Sequence, residues 1–306
     1  MKIAILHQRL EWAEPEIARA LERKGHTSTL VPLEVASLDT LARHDVVLNR
    51  VYASVANRCW PDIGRALSWL AALEARGVRC VNNLQASQAD YDKHLAAGLL
   101  ARQGVSTPPT LRLRHRTDVE AQAATLAAWG WPRVLKRATG GRGVDVRKLD
   151  NEADWQASLH LLLDQGGLGQ YGGALVVQPF LVSRRPHDLR IAIVNDQLAY
   201  AWRRSLVATQ AGGPAWLGSV SAGSTFEPHE PSPAEIALAQ RATRALGADI
   251  NEVDMLDTPE GLTVIENNPT PGYIEGDEIY VNGLVDALAN GDVFKGKQPP
   301  SLGEAR

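Results

Sequence analysis

Apolar runs about five residues long alternate with helically spaced stretches over the first third of the chain. Residues 2–6 form an apolar strand pattern, and helical spacing follows from Trp12 to Lys24, stopped by Gly25. Thr29–Pro32, Asp45–Asn49 and Val78–Asn82 repeat the strand pattern, with a helix over Trp60–Arg76 that Gly77 ends. Strand and helix in alternation predict a parallel α/β domain over residues 1–84.

Residues 85–184 read differently. A helix is expected over Asp90–Gln103 with Gly104 beyond its end, then an extended Thr107–Thr110, then a helix over Asp118–Trp129 with Thr117 as N-cap. Pro132–Arg137 predicts a strand, Thr139–Gly143 a glycine-rich loop, and Val144–Lys148 another strand. A helix over Glu152–Gln165 and an apolar strand over Leu175–Phe180 complete an α+β unit built on an antiparallel sheet. Residues 185–294 open on a hairpin, His187–Val194 with Gln197–Arg203, turned at Asn195-Asp196. A loop over 205–222, a helix from Ser232 to Leu246 and a last hairpin, Ile250–Leu256 with Gly261–Glu266, follow. Loops of that length often serve as lids or binding segments, and Trp216 within it reads equally as an exposed lid aromatic or a packed anchor. The tail, residues 295–306, reads as flexible.

Composition narrows the function classes. The chain has 306 residues, 44% apolar and 22% charged, with a net charge of −3. That balance argues against a phosphate-backbone binder, so no nucleic-acid partner is expected. Two cysteines, Cys59 and Cys80, without a C-x-x-C spacing fit a reducing compartment. No apolar run approaches the roughly 18 residues of a membrane span, and the expected location is the cytoplasm. Eight histidines show no H-E-x-x-H spacing, and no Gly-x-Ser-x-Gly elbow occurs.

Three constellations carry chemistry. In the last hairpin Asp254 and Glu266 lie symmetrically about position 260, so they can face each other, and Asn268 shares the face of Glu266. Two carboxylates and an amide oxygen suit Mg²⁺ with nucleotide phosphates; the same residues also read as a solvent-facing polar stripe. Lys136 ends an apolar strand directly before the glycine-rich loop, whose free N–H groups can cradle phosphate, and Lys93 opens a helix. Neither a Walker A loop nor G-x-G-x-x-G opening a helix is present. Asp188 and Arg190 share a strand face, with Arg203 and Arg204 on the paired strand. A guanidinium fork there suits a phosphoryl group or carboxylate, or simply a cross-strand salt bridge. Asn49 and Arg50, at the carboxyl end of a parallel strand, are candidate substrate contacts, although Arg50 also reads as a surface arginine.

In order and spacing these residues resemble the ATP-grasp superfamily of carboxylate–amine ligases, most closely its RimK-like branch. The matching stretches are DKHLAAGLLARQGVSTPPT (92–110), VLKRATGGRGV (134–144), LVVQPFL (175–181), HDLRIAIVNDQLAYAWRR (187–204), INEVDML (250–256) and VIENNPTPGY (264–273). The resemblance implies an ATP-grasp fold behind a parallel α/β (pre-ATP-grasp) N-terminal domain: a central subdomain with flap and hinge over 85–184, and a metal-bearing subdomain over 185–294. It implies ATP as nucleotide and Mg²⁺, two ions with Mn²⁺ as a substitute. Lys93 and Lys136 would contact the phosphates and the adenine-side pocket. Thr139, Gly140, Gly141, Arg142 and Gly143 would form the flap. Gln178, Pro179, Phe180 and Leu181 would be the hinge whose backbone reads the adenine edge. Asp188 would lie near ribose and metal, and Arg190 would hold the γ-phosphate and an acyl-phosphate. Asp254, Glu266 and Asn268 would hold the metal, and Asn49, Arg50, Arg203 and Arg204 would approach the substrate.

Two positions depart from the family pattern. The hinge commonly reads Gln-Glu-Tyr-Ile, and here a proline removes one N–H. The segment 218–224, GSVSAGS, replaces an Asn-rich stretch that touches substrate in relatives, so glutamate specificity does not transfer. The implied reaction is amide formation through an acyl-phosphate. It would add an amino acid to a small molecule, peptide or carrier protein, in a dimer or tetramer. Alternatives are a dipeptide- or glutathione-type ligase, or a non-catalytic nucleotide-binding subunit of the same fold.

Overall fold

The computed structural model describes residues 1–57, 59–165, 173–209 and 213–271, together with Asn282, Val285 and Leu288. The tail expected over 295–306 and the end of the 185–294 unit lie outside the described residues. Three sheets organise the chain. In the first, β1 (Lys2–His7), β2 (Thr27–Pro32), β3 (Val46–Arg50) and β4 (Arg79–Val81) run parallel in the order β2-β1-β3-β4. Helices α1 (Ala13–Arg23), α2 (Leu38–Leu41) and α3 (Trp60–Ala75) connect them, and β1 and β3 are almost wholly buried, as both-face coverage of a parallel sheet requires.

The helix expected over Asp90–Gln103 forms as α5 (Lys93–Arg102), and a helix that was not expected, α4 (Leu84–Asp90), precedes it. Asp92 divides them, because its carboxylate caps α5 by accepting from the N–H groups of His94 and Leu95 at 3.0 and 3.1 Å. The second sheet, β5-β8-β6-β7, is antiparallel and comprises β5 (Leu111–Leu113), β6 (Arg133–Arg137), β7 (Arg147–Leu149) and β8 (Leu175–Pro179). It carries α6 (Arg116–Ala121), α7 (Ala123–Trp129) and α8 (Glu152–Leu159). The expected strand over Val144–Lys148 begins late, since Arg142, Gly143 and Asp145 all take positive φ and keep the chain in a loop.

The third sheet, β11-β10-β9-β12-β13, is antiparallel: β9 (His187–Val194), β10 (Gln197–Ser205), β11 (Phe226–Pro228), β12 (Ile250–Thr258) and β13 (Gly261–Asn268). Leu189, Ile191 and Ile193 of β9, with Val253 and Met255 of β12, face α9 (Pro233–Leu246) and also α4 and α5. Those two helices follow the first sheet in sequence, yet they pack on the third. Asn82 locks first to third sheet. Its amide nitrogen donates to Ile250 and Pro269 carbonyls at 2.9 and 2.6 Å, and its oxygen accepts from the Asp249 and Ile250 N–H groups.

Candidate active site

With Leu189, Ile191 and Ile193 turned to the helices, strand alternation turns Asp188 and Arg190 to the opposite face of the third sheet. Register then sets their neighbours: Asp188 stands opposite Arg204, and Arg190 between Trp202 and Asp254. Asp254 faces Glu266, and Glu252 faces Asn268. The facing of Asp254 and Glu266 depends on a bulge. From the turn outward Met255 pairs with Val264, and the extra residue Ile265 shifts the next pair. An unbulged ladder would set Asp254 against isoleucine.

The face is an ion-pair network. Arg190 grips Asp254 with both forks, Nε to Oδ1 at 2.8 Å and Nη2 to Oδ2 at 2.9 Å, while its Nη1 lies 3.1 Å from Glu252. Arg204 joins Asp188 to Asp254, with Nη2 at 2.5 Å from one and 2.8 Å from the other. Asp254 is completely buried. Burial works against its charge, but the two arginines prevail and hold its carboxyl below the usual range. Asp188 shares only Arg204, and burial pushes its carboxyl up to about 6. Arg190 is held well above the ordinary guanidinium value by Asp254 and Glu252, against its burial.

Opposite this face stand the other walls of two adjoining cavities, of about 490 and 130 Å³. Lys93, Lys136, Gly140, Gly141, Gly143, Arg204 and Glu266 line both. The Lys93 ammonium donates to the Gly140 carbonyl at 2.7 Å and lies 3.6 Å from Glu266. Burial brings the Lys136 ammonium down to about 8. The glycine-rich loop is folded in over the larger cavity. Asn57 donates to the Gly141 carbonyl at 3.0 Å and Ser221 to the Arg142 carbonyl at 3.1 Å. Gly140 has φ +130°, and a Cβ there would lie 2.4 Å from Asn57 Oδ1, so no other residue fits.

The smaller cavity is an apolar slot. Val134, Val146, Phe180, Leu206, Leu217, Leu256 and Ile265 line it, with Pro179 and Leu181 of the hinge. Trp216 is an anchor here: its ring meets Phe180 edge-on at 6.1 Å, and its indole donates to Thr209 at 3.1 Å. Gln178 lines both cavities and donates to Thr110 at 2.7 Å. The hinge proline costs the ladder nothing. Phe180 N–H bonds the Pro132 carbonyl at 3.1 Å, so alternation directs Pro179 away from β6, where no ladder donor is required.

Five expected site residues line neither cavity: Asp254, fully buried and held between Arg190 and Arg204, and four that lie elsewhere. Asn49 is buried and bonded to Ser87 and Tyr91 at 3.2 and 3.0 Å, while accepting from Val51 N–H. Arg50, 1% exposed, bonds Glu14, Tyr52 and the Pro271 carbonyl. Both are internal ties, because the β3 strand is covered on both faces, and it is Tyr52 and Ser54 just beyond that reach the cavity. Arg203 is exposed and points to His229, since neighbours on a strand face opposite ways and Arg204 takes the cavity side. Thr139 lines neither cavity and donates its hydroxyl to the Tyr91 carbonyl at 2.5 Å. Sequence reasoning missed Glu252, Tyr200, Trp202, Phe226 and Asp90, all lining the larger cavity. Glu252 was open to it, two residues before Asp254 on one face; Asp90 was not, because only helix packing brings it there.

The donors fit a divalent metal. Glu266 and Asn268 present hard oxygen-bearing groups to the cavity, and the buried Asn268 amide nitrogen has no partner among the described residues. Asp254 lines neither cavity itself; it stands opposite Glu266 in register, with Oδ1 accepting one bond and Oδ2 two from Arg190 and Arg204. Among the described residues no three His, Cys, Asp or Glu side chains form a metal cluster by themselves, so bound phosphate would have to complete the set.

An apolar slot beside lysines, a glycine-rich loop and an acidic face has the chemistry to take a nucleotide and its phosphates. Residues 90–283 match the RimK-like ATP-grasp domain family. A "Probable alpha-L-glutamate ligase" of Xanthomonas campestris pv. campestris (strain 8004) is 30% identical over 292 residues, 91% of this chain and 93% of that protein. The RimK domain protein ATP-grasp of Sphaerobacter thermophilus DSM 20745 superposes with a TM-score of 0.66 at 21% identity, over 94% of this chain and 98% of that one. D-cycloserine synthetase DcsG gives 0.70 at 17% identity, over 94% and 100%. The chain therefore belongs to the RimK-like ATP-grasp family, and it is an ATP-dependent ligase that forms C–N bonds. Ligases of this fold use ATP with a divalent metal. No helix among the described residues is long and apolar enough to cross a membrane.

Proposed function

We propose that the chain activates a carboxylate with ATP and joins it to an amine, one partner being an amino acid. The observation that carries this reading is the wall that the two cavities share, with Lys93, Lys136 and Glu266 lining both. Adenine would occupy the smaller cavity, which Val134, Val146, Leu256 and Ile265 line together with Pro179, Phe180 and Leu181. The triphosphate then passes under the flap, where Lys93, Lys136 and loop N–H groups meet it.

Arg190 holds the transferring phosphoryl group. Asp254 and Glu252 fix its plane, so its remaining N–H donors are oriented before the reaction begins. Asp254, Glu266 and Asn268 would hold Mg²⁺, which would supply positive charge to offset that of the phosphates. The carboxylate attacks the γ-phosphorus in line, giving an acyl-phosphate and ADP; the amine displaces phosphate from the acyl carbon. Tyr200, Trp202, Phe226 and Glu252 line the larger cavity around Arg190, where the substrates would meet.

The test is ADP release from Mg²⁺–ATP against amino acids offered singly and in pairs, with Glu266→Ala as control. Turnover that requires a particular pair, and that the control lacks, is expected. ATP binding without turnover for any pair, peptide or carrier protein would overturn the catalytic reading in favour of a nucleotide-binding subunit.

A further inference from the structure

Asp90 ends α4, three residues before Lys93, and lines the larger cavity. It is 7% exposed. A hydrogen bond from Thr270, two residues beyond Asn268, holds its carboxyl, yet Oδ2 has no partner among the described residues. A buried carboxylate oxygen without a donor is costly, and a folded chain keeps one where something arrives to fill it. The carboxylates around it are engaged. Asp254 is held by Arg190 and Arg204, Glu252 by Arg190 and Tyr200, and Glu266 lies beside Lys93.

The ligase reading above, on which this inference rests, leaves one chemical need unmet. An amine enters as its ammonium and cannot attack until it loses a proton. We propose that Asp90 is the proton acceptor for the amine substrate. The ammonium donates to Oδ2, the proton passes to Asp90, and the freed nitrogen lone pair forms the C–N bond. The C–O bond to phosphate breaks with its electron pair, the departing phosphate takes the second proton from the nitrogen, and Asp90 returns its own proton to solvent.

The groups facing Asp90 support that role. Lys93 on α5 and Arg50 on β3 favour its charge, Glu266 on β13 opposes it, and burial outweighs them all. Its carboxyl is pushed up to about 7, close to where a general base works best at neutral pH.

The experiment compares two nucleophiles on the same acyl-phosphate: the amine substrate, and hydroxylamine, which is uncharged at neutral pH and needs no base. Hydroxamate and amide formation are measured from pH 5.5 to 9 with the amino-acid panel supplying the carboxylate. In Asp90→Asn, amide formation should fall by about a hundredfold or more, the low end for general-base catalysis, with hydroxamate formation far less affected. The acidic limb near pH 7 in kcat/KM for the amine should disappear. Equal loss with both nucleophiles would make Asp90 a part of phosphoryl transfer or of folding, and loss with neither would give the proton to phosphate or water; either result overturns the proposal. No hydroxamate from the wild type with any carboxylate would instead sink the acyl-phosphate reading, and this proposal with it.

Discussion

Lys136 is a cation whose burial works against its own charge. It lines both cavities, and burial lowers its ammonium from 10.5 to about 8 despite the pull of Glu266 and Asp254. At about 1.4 kcal/mol per tenfold change in proton affinity, that fall amounts to roughly 3 kcal/mol against the folded state. Because the folded value lies below the unfolded one, the penalty is complete below about pH 8, where both states are charged. It disappears above 10.5, where both are neutral. Lys136→Met keeps the length of the stem and removes the charge. Urea unfolding at pH 7 should show the variant more stable than the wild type by up to about 3 kcal/mol, and the gain should shrink steadily between pH 8 and 10.5. Mg²⁺–ATP should restore the wild type at pH 7 and do little for the variant, since phosphate is the missing partner. A variant no more stable at pH 7, or a gain unchanged at pH 10.5, would refute the reasoning.

Three further outcomes are expected. Arg190→Lys keeps a charge beside Asp254 and Glu252 but loses the fork, and steady-state kinetics should show kcat down about a hundredfold, on the scale of a lost oxyanion-hole donor; an unchanged kcat would remove Arg190 from the reaction. Gly218→Ala places a Cβ 2.2 Å from Asp188 Oδ2 and 2.6 Å from Arg204 Nε, so thermal unfolding should reveal a loss of about 1–3 kcal/mol together with lost turnover. Arg50→Ala leaves Glu14, fully buried, without its guanidinium and should cost about 3–5 kcal/mol of stability, whereas Arg203→Ala, exposed beside His229, should leave stability and kinetics alike unchanged.

Much of the site was legible because it obeys short-range rules. Alternation along one strand is enough to put Asp188 with Arg190, and Glu266 with Asn268, on common faces. Spacing about the last turn even paired Asp254 with Glu266, although the pairing holds only through the Ile265 bulge, which no residue count contains. Glycines after a strand announced the flap, and its closure against Asn57 and Ser221 came from the fold.

What failed did so for one reason. Asn49 and Arg50 stood at the right end of a parallel strand, but which side chains emerge there depends on how deeply helices cover it. Arg203 and Arg204 are chemically identical neighbours, and only the facing of β10 against β9 separates a surface arginine from the one that joins Asp188 to Asp254. Asp90 reads as an ordinary helix residue until α4 and α5 pack on the third sheet. The sequence by itself determined the elements, the family and the residue types of the nucleotide site, because hydrophobic period and motif spacing are local properties. Tertiary structure alone decided which charges are buried together, and so which carboxylates are held by arginine and which, like Asp90, keep an oxygen without a partner among the described residues, because desolvation and pairing depend on residues far apart in the chain.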